Sequence, residues 1–196
     1  MDNFLKVKYN PTNKFYKNLY EFVQEEFKHD FKELDIEIRN KKHPKSLVDE
    51  FTEIGYVDYK LESGNKKIEY EITLIELKHL DIGNNILKLM TKRCKTYIES
   101  LGLEFCPKTA TIMTLLHELG HVVYVEEFIR YTDEFSLAKL VAFDKTLDSI
   151  FELTFAPWEM SGFVSINTAR TTFHASEVYS ESYAYRNFPR FLKFLK

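Results

Sequence analysis

The stretch TIMTLLHELGHVVYVEEF, residues 111–128, combines the apolar spacing of a helix with two histidines four positions apart. At about 100° per residue, six apolar side chains fall within roughly 120° of the surface of this helix. They are Ile112, Leu115, Leu116, Leu119, Val122 and Val123. His117 and His121 point nearly opposite that apolar face, on a side that they share with the small residues Ala110 and Thr114. Histidines that only filled a core would lie within the apolar face, so the pattern indicates another role for this pair.

The segment His117-Glu118-Leu119-Gly120-His121 has the spacing of an HExxH motif. Imidazoles at positions i and i+4 of a helix converge on one point, so each can offer a nitrogen to a tetrahedral Zn²⁺ at about 2.0–2.1 Å. Glu118 lies to the side of the pair, where it would reach a metal-bound water and accept its proton as a general base. The motif therefore predicts a zinc site; the alternative is a solvated helix face with two histidines that bind nothing.

A catalytic zinc site takes three protein ligands and keeps one coordination position open, so two histidines are not sufficient. The extended metzincin motif HExxHxxGxxH would add a histidine, but this chain has Tyr124 and Glu127 at the glycine and the last histidine. Neither cysteine has the upstream context that a peptide deformylase needs for its cysteine ligand. Glu126 and Glu127 lie too close along the same helix to turn back onto the metal. The third ligand is therefore expected to be a carboxylate from a distant segment.

The best source of such a carboxylate is the segment SEVYSESYAYRNF, residues 176–188. Glu177 and Glu181 are four positions apart and share one face of a predicted helix. Asp144 and Asp148, on an earlier predicted helix, are the alternative ligands. The explanation without a metal is an ordinary charged helix face exposed to solvent.

An HExxH helix followed by a helix with this glutamate pattern is similar to the glutamate-type zincins, which are thermolysin-like in the broad sense. The segment EVYSESY, residues 177–183, resembles the glutamate-bearing segment of the anthrax-lethal-factor-like and Pro-Pro endopeptidase families. The resemblance implies one zincin-like metallopeptidase domain over residues 1–196. It makes Glu177 the zinc ligand and Glu181 the acid that holds a histidine ligand through its other nitrogen. A second alignment of the same segment makes Glu181 itself the ligand. Ser180 replaces the alanine that is usual in these families.

The function that this resemblance implies is zinc-dependent hydrolysis of peptide bonds by a metalloendopeptidase, with Glu118 as the general base and a peptide or protein as substrate. His174 is the candidate donor to the oxyanion, and Tyr179 and Tyr183 are alternatives. The resemblance also suggests that substrate adds as a strand to IEYEITLIEL, residues 68–77, ahead of the active helix. Two other functions stay open: hydrolysis of a non-peptide amide, and a catalytically silent zincin-fold protein that binds or regulates.

The rest of the chain predicts an α+β fold that is mostly helical, with a small mixed or antiparallel sheet. The active-site helix is expected to be followed by the glutamate-bearing helix. Apolar spacing predicts helices over residues 13–30, 43–55, 84–101, 107–128, 135–153 and 174–188. Alternating patterns predict strands over residues 35–39, 56–61 and 67–77, the last two forming a hairpin.

Composition limits the partners and the compartment. The chain has 196 residues, 44% of them hydrophobic, which suits one folded domain. Its net charge of −3 predicts neither a nucleic-acid nor a membrane surface. The first residues lack the pattern of a signal peptide, and no apolar run approaches the ~20 residues of a membrane span, so we expect a cytoplasmic protein. A phage origin or export by a route without a sequence signal stays open, as does the oligomeric state. Cys94 and Cys106 are expected to be buried, reduced thiols.

Overall fold

The computed structural model describes residues 4–7, 13–32, 34–42, 55–61, 68–76, 85–132 and 175–196. Within them the fold is α+β, as the sequence predicts. The helices are α1 (Lys14–Glu26), α2 (Asn85–Ser100), α3 (Pro107–Thr132), α4 (Ala175–Asn187), a 3-10 turn (Phe188–Phe191) and the short α5 (Leu192–Leu195). The strands are β1 (Leu5–Val7), β2 (Asp35–Lys42), β3 (Gly55–Leu61) and β4 (Ile68–Glu76).

The four described strands form one mixed sheet in the order β1-β2-β4-β3. β1, β2 and β4 are parallel neighbours, whereas β3 runs antiparallel to β4, with Gly55 opposite Leu74 and Leu61 opposite Ile68. The hairpin that the sequence predicts is therefore confirmed. β1 was not predicted, because three residues are too few to show an alternating pattern.

The prediction that residues 68–77 offer an edge to a substrate is wrong. β4 pairs with β2 on one side and with β3 on the other, so both of its edges already carry hydrogen bonds. Alternation reveals which face of a strand is buried, but it does not distinguish a central strand from an edge strand. Among the described strands, β3 lies at one edge of the sheet, and its neighbour is β4.

Helix boundaries follow local signals in the sequence. The Asn13 side chain caps α1 by accepting a hydrogen bond from the Phe15 backbone N–H at 2.9 Å. α2 ends just before Gly102, whose φ of 74° is a conformation that favours glycine. Pro107 opens α3, where its missing N–H costs no helical hydrogen bond. These ends agree with the predicted helices to within a few residues.

The core lies between one face of the sheet and the helices. Its fully buried members from these elements include Leu19, Val23, Ile36, Ile38, Ile72, Leu74, Ile98, Leu115, Leu119 and Phe188. Five of the six residues of the predicted apolar face of α3 are fully buried and Val123 packs against them partly buried, so this face is confirmed as a core face. Among the described residues, no helix combines the length and the apolar content needed to span a bilayer.

Several predicted features lie outside the described residues. These are the helix over 135–153 with Asp144 and Asp148, the residues 43–54 of another predicted helix, and His174. Gly55, which the sequence places just past the end of that helix, is the first residue of β3. Cys94 and Cys106 are free thiols as expected, although both are half-buried rather than fully buried.

Candidate metal centre

α3 is the helix around which the candidate site is built, and it is enclosed on more than one side. Its apolar face, including Leu115 and Leu119, is fully buried in the core. Thr114 and Glu118 lie against β3, and Gly120 lies against α4. The histidines of the motif therefore sit on a helix that is already fixed by packing on both flanks.

The two histidines lie between the flank that faces β3 and the flank that faces α4. At about 100° per residue, Gly120 is about 60° from His117 around the helix, and Glu118 is about 60° from His121 on the opposite side. Both histidine side chains remain partly accessible, with 14% and 17% of their surface exposed. The pair therefore lies between the side of the helix that meets α4 and the side that meets the beginning of β3.

α4 brings Glu177 to the two histidines. His117 Nε2 lies 3.1 Å from Glu177 Oε2, His121 Nε2 lies 3.5 Å from Glu177 Oε1, and the two Nε2 atoms are 3.2 Å apart. We call these three residues the ligand cluster; among the described histidines, cysteines and acids, they form a group that could hold a metal ion. Three side chains from two helices thus converge on one point.

The ligand cluster is compact enough for one metal ion, since one ligand atom from each residue lies within 4.8 Å of the others. With bonds of about 2.0–2.1 Å, a regular tetrahedron of ligand atoms around zinc has edges of about 3.3–3.4 Å. The distance between the two Nε2 atoms, 3.2 Å, and the distance from His117 Nε2 to Glu177 Oε2, 3.1 Å, are close to that length, whereas the 3.5 Å contact of His121 is with the other carboxylate oxygen, Oε1. Two imidazoles and one carboxylate are also a donor set that zinc takes in catalytic sites. The residues present therefore fit Zn²⁺.

The electrostatic environment of the cluster also favours a cation. Burial by itself would lower the pKa of His117, because the charged imidazolium loses its hydration. The hydrogen bond with Glu177 and the charges of Glu118 and Glu181 outweigh burial, so the pKa of His117 is raised above its ordinary value. A field that stabilises a proton on this ring also stabilises a metal ion beside it.

Glu118 lies on the β3 side of the histidines, close to the start of that strand. It is buried, with 5% of its surface exposed. A Cβ atom placed on Gly55 would lie 3.2 Å from Glu118 Oε1 and only 2.6 Å from Thr114 Cγ2. The absence of a side chain at Gly55 therefore lets β3 approach the helix beside the carboxylate of the HExxH motif.

Glu181 has other partners than the ligand cluster. Its Oε1 accepts a hydrogen bond from the Tyr185 hydroxyl at 2.8 Å, and its Oε2 lies 3.3 Å from Nη1 of Arg93 on α2. Its charge still contributes to the raised pKa of His117. Of the two glutamates that the sequence leaves open, the structure brings Glu177 to the histidines, whereas it joins Glu181 to α2.

The two tyrosines considered as oxyanion donors have partners away from the ligand residues. Tyr179 packs on Tyr124, with ring centroids 5.7 Å apart, and burial and a hydrogen bond to Glu127 raise the pKa of its hydroxyl. Tyr183 belongs to the hydrophobic core, and burial raises its pKa far above the ordinary value. His174 lies outside the described residues.

The sequence does not reveal the role of three residues near the candidate site: Gly55, Arg93 and Ser180. In the sequence Gly55 marks a helix end, and Arg93 carries no local pattern that distinguishes it from other surface cations. Ser180 stands only as a replacement for alanine, yet its backbone lies against Gly120. All three act through contacts between distant segments, which periodicity cannot reveal.

Comparison with protein-family models, with curated proteins and with solved structures finds no match for this chain.

Proposed function

We propose that this chain is a zinc-dependent metalloendopeptidase with a zincin-like fold. His117, His121 and Glu177 would hold Zn²⁺, and Glu118 would serve as the general base. The observation that carries the proposal is the convergence of three side chains from two helices, in which His117 Nε2 lies 3.2 Å from His121 Nε2 and 3.1 Å from Glu177 Oε2, close to the edge of a zinc tetrahedron. A solvated helix face with unrelated histidines would not require a glutamate from another helix at the same point.

The proposed roles of the metal and of the surrounding side chains follow from their positions in the structure and the sequence. Zinc, when bound, supplies a Lewis acid that acidifies water and polarises a carbonyl oxygen. Glu118 accepts the proton of the attacking water and delivers it to the leaving amine. Its burial beside the histidines supports this role, since a carboxylate shielded from bulk water keeps a defined position. His174, three positions before Glu177, remains the proposed donor to the oxyanion.

The approach of the substrate is proposed along β3 instead of β4. Within the described residues β3 pairs with β4 alone, and the proposal is that an extended peptide adds as a strand to its other edge. β3 begins at Gly55, beside Glu118 Oε1. A peptide paired with this edge would therefore pass the proposed base at the point where the strand starts.

The proposal is tested by zinc content and turnover in three proteins: wild type, His121→Ala and Glu118→Gln. Wild type is expected to contain about one zinc per chain and to cleave members of a mixed peptide library, as read by mass spectrometry. His121→Ala should lose zinc, because two ligands hold the ion far more weakly than three. Glu118→Gln should keep zinc and lose about 10²- to 10⁴-fold in turnover, the contribution of a general base.

The outcomes separate the proposed function from its alternatives. Wild type without zinc after zinc supplementation would refute the metal site. Wild type that holds zinc but cleaves no peptide, while it hydrolyses other amides, would assign a different substrate class. Zinc binding without any hydrolysis would identify a silent zincin-fold protein, and Glu118→Gln would then behave like wild type.

A further inference from the structure

α3 and α4 approach each other closely at Gly120 and Ser180, which we call the α3–α4 crossing. A Cβ atom on Gly120 would lie 2.7 Å from the Ser180 Cα atom and 3.0 Å from its carbonyl oxygen. Backbone atoms cannot rotate out of the way as a side chain can, so any residue larger than glycine would push the helices apart. Glycine at this place is therefore a requirement of the helix packing.

The crossing lies next to the ligand cluster on both helices. On α3, Gly120 directly precedes His121. On α4, Ser180 is fully buried and stands one turn after Glu177. The distance between the two helix backbones at the crossing therefore fixes how far the Glu177 carboxylate reaches toward the imidazoles.

α4 is anchored mainly beyond the crossing. Ala184 is buried in the core, and the Tyr185 carbonyl accepts a hydrogen bond from the Tyr97 hydroxyl at 2.6 Å. Before the crossing the helix is more open: Ala175 is exposed, and Val178 exposes 47% of its surface. A larger side chain at the crossing would therefore displace the turn of α4 that carries Glu177 more than the second half of the helix.

We propose that Gly120 is a positioning residue for the metal site. By permitting the close α3–α4 crossing, it holds the Glu177 carboxylate at the two histidines, and metal affinity depends on it. This inference rests on the zinc site of the proposed function. It adds a role for a motif position that neither binds metal nor transfers a proton.

The first test compares the zinc affinity of Gly120→Ala with that of wild type, by competition with a chromophoric chelator. We expect a loss on the order of 10- to 100-fold, the range typical of residues that orient a ligand. Ser180→Ala is the matched control, because it keeps the backbone contact and removes only the hydroxyl. That hydroxyl oxygen has no hydrogen-bond partner in the part of the chain that the structure describes. Its zinc affinity should equal that of wild type.

The second test asks whether Gly120 acts through Glu177. If it does, Gly120→Ala should add little to the loss already caused by Glu177→Gln in the double variant. Combined with Glu181→Gln, in contrast, its effect should be additive. The visible absorption of the Co²⁺-substituted protein gives a reading independent of affinity: Gly120→Ala should shift toward the spectrum of Glu177→Gln.

The results that overturn this inference differ from those that overturn the proposed function. If Gly120→Ala binds zinc as tightly as wild type, Gly120 has no positioning role, although the zinc site stands. The same holds if the losses in affinity caused by Gly120→Ala and Glu177→Gln are fully additive in the double variant. If Gly120→Ala does not fold, Ser180→Thr adds one methyl group at the same crossing, and wild-type affinity in that variant has the same meaning. Wild type that binds no zinc overturns both proposals; zinc binding without hydrolysis overturns only the function.

Discussion

Two clusters of charged residues in this protein differ in how their charges are balanced. In the cluster around Arg190, the guanidinium lies 3.1 Å from Glu26 and 2.7 Å from Asp30, and it stacks on the Phe27 ring at 3.8 Å. Lys193 also pairs with Glu26. Each acid in that cluster therefore meets a permanent positive charge from the chain itself.

In the ligand cluster, the acid meets groups without a permanent charge. The partners of the Glu177 carboxylate are two imidazoles, which, unlike a guanidinium, gain and lose a proton within the physiological pH range. The raised pKa of His117 records the pull of the surrounding carboxylates on any positive charge. The Arg190 cluster therefore joins α1 and the turn after it to the 3-10 turn and α5 through charges of the chain itself, whereas the ligand cluster holds the donor set of the proposed zinc site with no permanent positive charge among its three residues.

Substituting each of the two glutamates of α4 in turn should show which of them binds the metal. Glu177→Gln removes a proposed zinc ligand, so zinc affinity is expected to fall by more than about 100-fold. This exceeds the loss of about 10- to 100-fold that is typical of groups outside the coordination shell. Glu181→Gln, one turn later, should change zinc affinity by less than about 10-fold, because its oxygens contact Tyr185 and Arg93. Chelator competition measures both affinities. The opposite ranking would make Glu181 the ligand and would erase the distinction drawn above.

The Arg190 cluster should contribute to stability and leave metal binding unchanged. Arg190→Ala removes ion pairs with two acids and the contact with Phe27, so we expect the free energy of unfolding to fall by about 1–3 kcal/mol. Chemical denaturation of the metal-free protein measures this loss. Arg130→Ala, at an exposed site on α3, is the control and should change stability by less than about 0.5 kcal/mol. A drop in zinc affinity for Arg190→Ala would show that the two clusters are coupled.

The features that the sequence predicts well are those with a local cause. α3 and its buried face follow from apolar spacing, and the position of the histidines follows from the same 100° rotation. Glu177 and Glu181 could be selected but not ranked, because their different partners depend on how α4 packs against α3 and α2. The contacts of Gly55 with Glu118, and the parallel pairing of β2 with β4, join segments that no periodicity connects. Contacts between distant segments are therefore the features that the sequence does not predict.

The smallest expected effect is the acid sensitivity of the Arg190 cluster. Hydrogen bonds from Lys193 and Arg190 outweigh burial and lower the pKa of Glu26 below its ordinary value of 4.5. A carboxyl whose folded pKa is depressed stabilises the protein above the unfolded pKa and loses that contribution as pH falls through the folded value. Because these side chains are partly exposed, solvent screening keeps the contribution small.

Glu26→Gln should therefore make the metal-free protein slightly less stable at pH 7, with the difference from wild type shrinking below about pH 4.5. Urea unfolding midpoints at pH 7 and pH 3 measure the change, with chelator present so that metal release does not contribute. Glu25→Gln is the neighbouring control, since Glu25 is 77% exposed and pairs with Lys28 on the protein surface. If Glu26→Gln followed the same pH dependence as wild type, the Arg190 cluster would hold its acids no more firmly than the open surface does.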